Sequence, residues 1–230
     1  MGHMASSLVS AWQLLWDFDP DVYFVVWTSL KISAAGAFLA AVAGIPAGMT
    51  LALTRFRGRG LVLLLLNTAL ALPTVVIGLF VYAFISRRGP LGHLGLLFTP
   101  AGVVVGELLL ALPIAVHYSL SAIQALDPRL FLTIRSLGAN RWQEARKILS
   151  EGRFGIMAAV VASFGRTIAE VGVAMMLGGN IEGFTRTMTT AIALETSKGE
   201  FELGLALGIF LLTVAFAVNA GLYVLQRSRG

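Results

Sequence analysis

Long apolar stretches alternate with short polar ones along most of this chain. A helix that crosses the hydrocarbon core of a bilayer needs about 20 residues, and five stretches reach that length. They run over residues 22–54, 61–86, 101–124, 154–177 and 201–226. The first is over-long for one crossing, so its helix is either tilted or begins at the interface around Trp27 and Lys31. The pattern predicts an all-α fold, a polytopic membrane bundle of five transmembrane helices.

The composition agrees with a membrane protein. Of the 230 residues, 57% are hydrophobic and only 13% are charged, whereas a soluble domain covers its core with charge. The chain contains no cysteine, which excludes disulfides, thiol catalysis and zinc–thiolate sites. Residues 1–4 resemble a cloning scar, and residues 5–230 are therefore taken as a single transmembrane domain.

Basic residues between the spans predict the orientation. One side of the bundle carries Arg55, Arg57, Arg59, Arg129, Arg135, Arg141, Arg146, Lys147, Arg153, Arg227 and Arg229. The other side carries only Arg87, Arg88, Arg186 and Lys198, together with the N-terminal Asp17, Asp19 and Asp21. Because cytoplasmic loops are enriched in Lys and Arg, the N-terminus is expected outside and the C-terminus in the cytoplasm. The net charge of +5 is thus a topology signal and does not indicate a nucleic-acid partner.

Small residues and prolines inside the spans predict how the helices pack. In the first span, small residues four apart form a stripe that lets two helix backbones approach closely in lipid. The stripe consists of Gly36, Ala40, Gly44 and Gly48. The second and third spans each contain Ala-Leu-Pro, at 71–73 and 111–113, where proline is expected to bend the helix.

Charged residues inside the spans are the candidates for a transport site. Arg166 and Glu170 lie one turn apart in the fourth span. Such residues are costly in a membrane and mark either a self-satisfying ion pair or a pathway. Glu107, a lone carboxylate of the third span, either pairs with Arg166 or lies near the outer interface. We find no carboxylate pair or histidine cluster at acid–base or metal spacing, so neither a catalytic nor a metal site is predicted.

A polar segment, residues 127–151, separates the third and fourth spans on the cytoplasmic side. Asp127-Pro128 predicts a helix start, and Gly138 its C-terminal cap. Asn140, followed three residues later by Gln143, predicts a capping box that opens a second helix. The apolar faces would be Leu130, Ile134 and Leu137 on the first helix and Trp142, Ala145 and Leu149 on the second. These faces require either the lipid headgroup layer or a groove on a cytoplasmic partner, and the residues alone do not choose.

Several motifs resemble those of one family of transporters. ALDPRL (125–130) and RSLGANRW (135–142) resemble the cytoplasmic loop of binding-protein-dependent ABC importer permeases. RRGPLGHLGLLFTPAGVVV (87–105) is similar to the outer loop and third span of molybdate-type permeases. FGRTIAEVGVAMMLGGNI (164–181) and TRTMTTAIALETSKG (185–199) are closer to the tungstate branch. The chain departs from the family at 132–134, where Leu-Thr-Ile replaces Glu-Ala-Ala, and at 150–151, where Ser-Glu replaces Leu-Pro.

The resemblance implies the type I ABC importer permease fold, in which the cytoplasmic loop is a coupling helix that docks on an ATPase subunit. It implies a homodimer in a prokaryotic inner membrane, with two ATP-binding cytoplasmic subunits and an extracytoplasmic oxyanion-binding protein. This chain would then be a transport subunit and no enzyme, binding no cofactor itself, with ATP and Mg on the partner ATPase. The coupling residues would be Arg135, Leu137, Gly138, Ala139, Asn140, Arg141, Trp142 and Glu144.

The expected function is the import of an oxyanion, tungstate foremost, by alternating access. The proposed pathway residues are Arg166, Glu170, Thr185 and Thr187, although the two threonines better suit a polar loop that contacts the binding protein. Molybdate or sulfate is the alternative cargo. A stand-alone secondary anion transporter is a further alternative, but the chain shows no internal repeat of the kind such transporters carry.

Overall fold

The computed structural model describes residues 19–227, so residues 1–4 lie outside the described part. The described residues form α-helices, one 3₁₀ turn (Gly92–Leu94) and no strand. The helices are α1 (Pro20–Leu53), α2 (Arg59–Leu70), α3 (Thr74–Ile85), α4 (Pro100–Gln124), α5 (Pro128–Ser136), α6 (Arg141–Glu151), α7 (Arg153–Ile168), α8 (Gly172–Gly178), α9 (Met188–Lys198) and α10 (Phe201–Arg227). The all-α prediction is confirmed.

Helix α1 is the longest element of the bundle. Asp19 caps it by accepting from the N–H groups of Asp21 and Val22, and Pro20 occupies the first turn, where a missing N–H costs nothing. Its 34 residues extend about 51 Å, more than the ~30 Å of a hydrocarbon core. The helix is therefore longer than one perpendicular crossing needs, and the tilt or interfacial first turn expected from the sequence stays a prediction.

The glycine stripe of α1 packs directly on α4. A Cβ built on Gly44 would lie 2.6 Å from Cβ of Ala115, and one built on Gly48 would lie 2.6 Å from the carbonyl oxygen of Val116. No side chain fits there, so glycine allows the two backbones to meet. Ala40 is buried against Ala111 and Ala115 in the same interface. The predicted close approach in the first span is confirmed, and its partner is α4.

Two predicted spans are interrupted in the structure. Residues 61–86 form α2 and α3, which meet at 103° around Ala71–Pro73. The bend follows from Pro73, which has no N–H and disfavours helical backbone at the residue before it. By contrast, α4 continues through Pro113. Residues 154–177 form α7 and α8, separated at 169–171.

Within the described residues, α1, α4 and α10 are each long and apolar enough to cross a membrane. Two bent pairs, α2–α3 and α6–α7, bring the number to five if each pair is one span. Apolar contacts join these helices into one bundle. Val26 of α1 packs with Ile168, Met188 and Leu207. On the other side of the bundle, a second cluster joins α3, α4 and α8.

Candidate functional site

The polar segment, residues 127–151, folds as two short helices, α5 and α6, joined at Gly138. Asp127 Oδ1 accepts from the N–H of Arg129 at 2.8 Å and so caps α5. Gly138 adopts φ +72°, a conformation that glycine reaches at no steric cost, and the N–H of Ala139 then donates to the Ile134 carbonyl. The predicted helix start and glycine cap are both confirmed.

The start of α6 is a capping box. The Asn140 side chain accepts from the N–H of Gln143 at 2.9 Å, and the Gln143 side chain accepts from the N–H of Asn140 at 2.9 Å. Two orphan N–H groups are satisfied without any partner from another helix. The sequence pattern predicted this box, and the geometry confirms it.

The faces of α5 and α6 that point toward α1 and α4 are buried. Ile134 of α5 and Ile148 of α6 meet Ile123 at the end of α4, with 6%, 0% and 1% of their surfaces exposed. Met49 and Leu53 of α1 complete the contact. The two short helices are therefore held on the ends of α1 and α4 by apolar packing. Ile148 was not assigned to an apolar face from the sequence.

The opposite surface exposes large apolar side chains. Leu132, Leu137 and Trp142 are 69%, 80% and 78% exposed. The sequence grouped Leu137 with Leu130 and Ile134, but the structure separates it from them. An apolar surface of this kind, held outside a membrane bundle, is suited to a partner. We refer to Leu132, Leu137 and Trp142 as the elbow surface.

The other predicted coupling residues surround the elbow surface. Gly138, Asn140 and Arg141 are exposed, while Ala139 and Glu144 are half-buried. Arg135 lies on α5, and its side chain is outside the described part of the structure.

On α6, Lys147 forms an ion pair with Glu151 at 2.6 Å, and the hydrogen bond from Lys147 lowers the pKa of the Glu151 carboxyl. Both of these side chains are about half exposed, so the pair belongs to the solvated side of α6.

Arg166 and Glu170 form the predicted ion pair near the break between α7 and α8. Arg166 Nη1 lies 3.5 Å from Glu170 Oε2; the Arg166 side chain is 41% exposed and that of Glu170 only 3%. Glu170 Oε1 also accepts from the N–H of Val173 at 3.1 Å. This bond satisfies a free amide at the start of α8, so Glu170 stabilises the interruption of the fourth span.

Glu107 lies on α4 and is buried against α1. Its Oε1 is 3.5 Å from Ser33 Oγ, and a Cβ at Gly36 would lie 2.8 Å from Glu107 Cβ. Gly36 therefore leaves the space that this carboxyl occupies. Among the described residues, Glu107 Oε2 has no hydrogen-bond partner and Glu107 forms no ion pair with Arg166.

Two buried hydroxyls connect the broken span to neighbouring helices. Thr167 Oγ1 donates to the Ser33 carbonyl of α1 at 3.2 Å, and Thr189 Oγ1 of α9 donates to the Glu170 carbonyl at 2.7 Å. Backbone freed from a helix inside a membrane needs such internal partners. The sequence reasoning missed these contacts, because they join residues 134 and 19 positions apart.

The two predicted pathway threonines are hydrogen-bonded within the chain. Thr185 Oγ1 donates to the Gly178 carbonyl at 2.6 Å and accepts from the N–H of Ile181 at 3.0 Å, which closes the turn after α8. Thr187 caps α9 through a capping box with Thr190. Both side chains are buried. Their positions support a structural role in the turns around α9, and among the described contacts none joins them to Arg166.

A recess of about 520 Å³ opens beside Arg166, between α2, α4 and α7. It is lined by Leu70, Ile114, His117, Tyr118, Ala162 and Arg166. The His117 and Tyr118 rings lie edge to face, with centroids 6.2 Å apart. Neither residue was assigned to a site from the sequence. One sequence feature could have drawn attention to His117: it is an ionisable residue inside an apolar span, and such residues are rare.

A family model described as "Binding-protein-dependent transport system inner membrane component" matches residues 44–229. The match covers Gly44 and Gly48 of the glycine stripe, the elbow surface, the Arg166–Glu170 pair and the two threonines Thr185 and Thr187. This chain belongs to that family. It is accordingly a multi-pass membrane protein and a permease component of an ABC importer.

Among curated proteins, the chain is similar to permeases of oxyanion transport. It is 36% identical to a tungstate uptake system permease protein of Peptoclostridium acidaminophilum, over 98% of this chain and 99% of the relative. It is 40% identical to the tungstate uptake system permease protein of Campylobacter jejuni, over 94% of this chain and 90% of the relative. A molybdenum transport system permease protein of Escherichia coli is 30% identical, over 79% and 83%.

Solved structures share the fold at low sequence identity. A methionine ABC transporter in an inward-facing conformation matches with a TM-score of 0.77 and 17% identity, over 94% of this chain and 97% of that one. A bacterial alginate ABC transporter matches with a TM-score of 0.76 and 18% identity, over 99% and 88%. These likenesses confirm the type I ABC importer permease fold.

Proposed function

We propose that this chain forms the membrane pathway of an ATP-driven importer that carries tungstate into the cytoplasm. One observation carries the choice of cargo: the chain is 36–40% identical, over nearly its whole length, to two tungstate uptake permeases. The molybdenum permease of Escherichia coli is 30% identical over a shorter part of the chain. Molybdate is therefore the second candidate, since it is also a tetrahedral dianion.

The elbow surface is the proposed dock for an ATP-binding subunit. Leu132, Leu137 and Trp142 project from a segment whose underside is fixed by Ile134 and Ile148. Exposed aromatic and aliphatic side chains on a rigid support are suited to a groove in a partner, where such residues dominate binding energy. ATP and Mg would bind to that partner. Its closure would move the elbow and, through Ile123, the end of α4.

A second copy of the chain is proposed to complete the pathway. The Arg166 side chain is 41% exposed although it lies in an apolar span. A guanidinium facing lipid would be costly, so this face is suited to water or to protein. The recess beside Arg166 is open on one side in a single chain. Two copies facing each other would enclose it, and their rocking would give alternating access to the two sides of the membrane.

The orientation proposed from the charges fits this arrangement. With the N-terminus outside and the C-terminus in the cytoplasm, the elbow surface is cytoplasmic and the turns holding Thr185 and Thr187 are extracytoplasmic. The outer turns would then face an oxyanion-binding protein that delivers the cargo. A stand-alone secondary transporter would have no use for an exposed apolar elbow on the cytoplasmic side, and this observation favours the ABC importer.

Calorimetry of the cognate binding protein with tungstate, molybdate and sulfate tests the cargo. We expect tungstate to bind most tightly, and only the tungstate-loaded protein to stimulate ATP hydrolysis strongly by the complete transporter. Tighter binding of molybdate or sulfate, with equal or greater stimulation, would overturn the tungstate assignment and leave the importer assignment in place.

A further inference from the structure

We propose that the recess formed by His117, Tyr118 and Arg166 binds the transported oxyanion transiently inside the membrane. This inference rests on the proposed function and gives the pathway a named binding step. The recess lies where α4 and α7 pack against each other, and Leu70 at the end of α2 forms its third wall. Nothing in the sequence pattern assigned His117 or Tyr118 to transport.

The polar groups of the recess are those that a tetrahedral dianion requires. A guanidinium offers several N–H donors, a phenol one O–H donor, and an imidazole one N–H when neutral or two when charged. Arg166, Tyr118 and His117 supply one of each. Hydrogen bonds from cationic donors to oxyanions are about twice as strong as neutral ones. The recess therefore combines the positive charge of Arg166 with two further hydrogen-bond donors.

Two of these groups are incompletely satisfied by the chain itself. His117 Nδ1 is buried and has no hydrogen-bond partner among the described residues. A buried polar atom without a partner is rare and calls for an explanation. Because this nitrogen has almost no exposed surface, an anion in the recess reaches it only when the His117 ring turns. Within the described part, Arg166 has a single ionic contact, at 3.5 Å, which joins one guanidinium nitrogen to Glu170. Its remaining N–H groups are therefore available to an anion.

The rest of the recess is suited to weak, reversible binding. Leu70, Ile114 and Ala162 are apolar and offer no competing hydrogen bonds. A low-dielectric wall strengthens the attraction between Arg166 and an anion. Glu170, buried one turn away, opposes it and prevents the oxyanion from being held too firmly to leave. The volume of about 520 Å³ admits a tetrahedral oxyanion together with some of its water.

Tungstate uptake by the reconstituted transporter, with its ATPase subunits and binding protein in proteoliposomes, tests this site. Tungsten taken up per ATP hydrolysed is measured for His117→Phe and Tyr118→Phe. Each variant removes hydrogen-bonding atoms and keeps a ring. We expect His117→Phe to lower uptake per ATP at least about tenfold, the scale of one hydrogen bond to a charged group, and Tyr118→Phe about threefold. His117→Gln, which keeps a donor, should recover part of the loss.

Matched controls are His93→Phe in the outer 3₁₀ turn and Tyr223→Phe on α10, both exposed positions away from the recess. Stimulation of ATP hydrolysis by the loaded binding protein should persist in the recess variants, which separates a lost anion contact from a misfolded permease. If His117→Phe fails to assemble, Tyr118→Phe decides, because it deletes one oxygen at a partly exposed position.

Wild-type uptake per ATP in both recess variants would overturn the site while leaving the ATP-driven importer intact. A wild-type transporter that moves no tungstate under these conditions would instead overturn the proposed function, and this inference with it. The two failures are distinguished by the wild-type measurement alone.

Discussion

The side chains of Ile134 and Ile148 meet in one buried cluster, although they lie on different helices on either side of Gly138. This contact folds α5 and α6 back on the bundle, against the ends of α1 and α4. As a result, Leu137 and Trp142 are held on the outside of the elbow with about four-fifths of their surfaces exposed. Ile134 and Ile148 thus support the elbow, while Leu137 and Trp142 form its exposed surface. Substitutions can therefore change the surface without disturbing the support.

Replacement of Trp142 tests the contact surface. Trp142→Ala should leave the fold unchanged, because the side chain is 78% exposed. It should weaken binding to the ATPase subunit by about 2 kcal/mol, or roughly 30-fold, as expected for an aromatic residue that dominates an interface. The measurement is the concentration of ATPase subunit that gives half-maximal complex formation in detergent.

Trp27→Ala is the matched control, since Trp27 is 58% exposed on α1, far from the elbow. The control should bind the ATPase subunit normally. Equal binding by wild type, Trp27→Ala and Trp142→Ala would remove Trp142 from the coupling surface.

Leu137→Asp, which places a charge on the same surface, should also abolish coupled ATP hydrolysis.

Replacement of Gly138 tests the elbow itself. At φ +72°, an alanine costs roughly 1–2 kcal/mol relative to glycine, because its Cβ crowds the backbone. Gly138→Ala should therefore accelerate amide hydrogen exchange in α5 and the first turn of α6. Gly60→Ala, at a helical position with open space around it, should leave exchange in this segment unchanged. Identical protection in both variants would show that the left-handed turn does not set the elbow.

Replacement of Gly44 tests the packing of α1 on α4. A Cβ at this position would lie 2.6 Å from Cβ of Ala115, too close for any side chain. Gly44→Val should therefore destabilise the bundle by about 1–3 kcal/mol, seen as a lower thermal unfolding temperature in detergent. Gly208→Val on α10, where open space surrounds the glycine, should unfold close to wild type. A Gly44 variant as stable as this control would argue against the α1–α4 contact.

Substitutions of Arg166 and Glu170 test whether their ion pair only stabilises the fold or also belongs to the transport pathway. Arg166→Gln leaves the buried Glu170 carboxylate without its cation, which should cost about 1–3 kcal/mol, less than a fully buried pair because Arg166 is 41% exposed. The double variant Arg166→Gln, Glu170→Gln removes that uncompensated charge and should recover thermal stability.

Tungstate uptake by the same double variant then decides the role of Arg166. If Arg166 contacts the oxyanion, uptake should stay at least about tenfold below wild type, the loss expected for one hydrogen bond to a charged group. Recovery of uptake along with stability would make the pair a packing device and no part of the pathway.

Local signals in the sequence predicted local structure well. Asn140 and Gln143 are three residues apart, and the capping box they form needs nothing beyond that segment. Gly138 likewise predicted its own left-handed turn. The five apolar stretches predicted the bundle because a membrane fixes the length of any helix that crosses it.

Contacts between distant segments were not available from the pattern. Trp142, Ala145 and Leu149 formed one plausible apolar face of α6, yet α6 turns Ile148 inward, because the partner surface of Ile123 and Ile134 fixes its rotation. The break at 169–171 depends on Glu170 bonding to Val173 and on Thr189 reaching the Glu170 carbonyl. The recess at His117 likewise exists only where α2, α4 and α7 meet.

The central claim, ATP-driven tungstate import, is tested most directly by uptake into proteoliposomes that hold the complete transporter. Tungsten inside the vesicles is measured with and without internal ATP, in the presence of tungstate-loaded binding protein. Accumulation that requires both ATP and the binding protein is the result we predict. Uptake that proceeds equally without ATP, or ATP-driven uptake of molybdate or sulfate with none of tungstate, would contradict it.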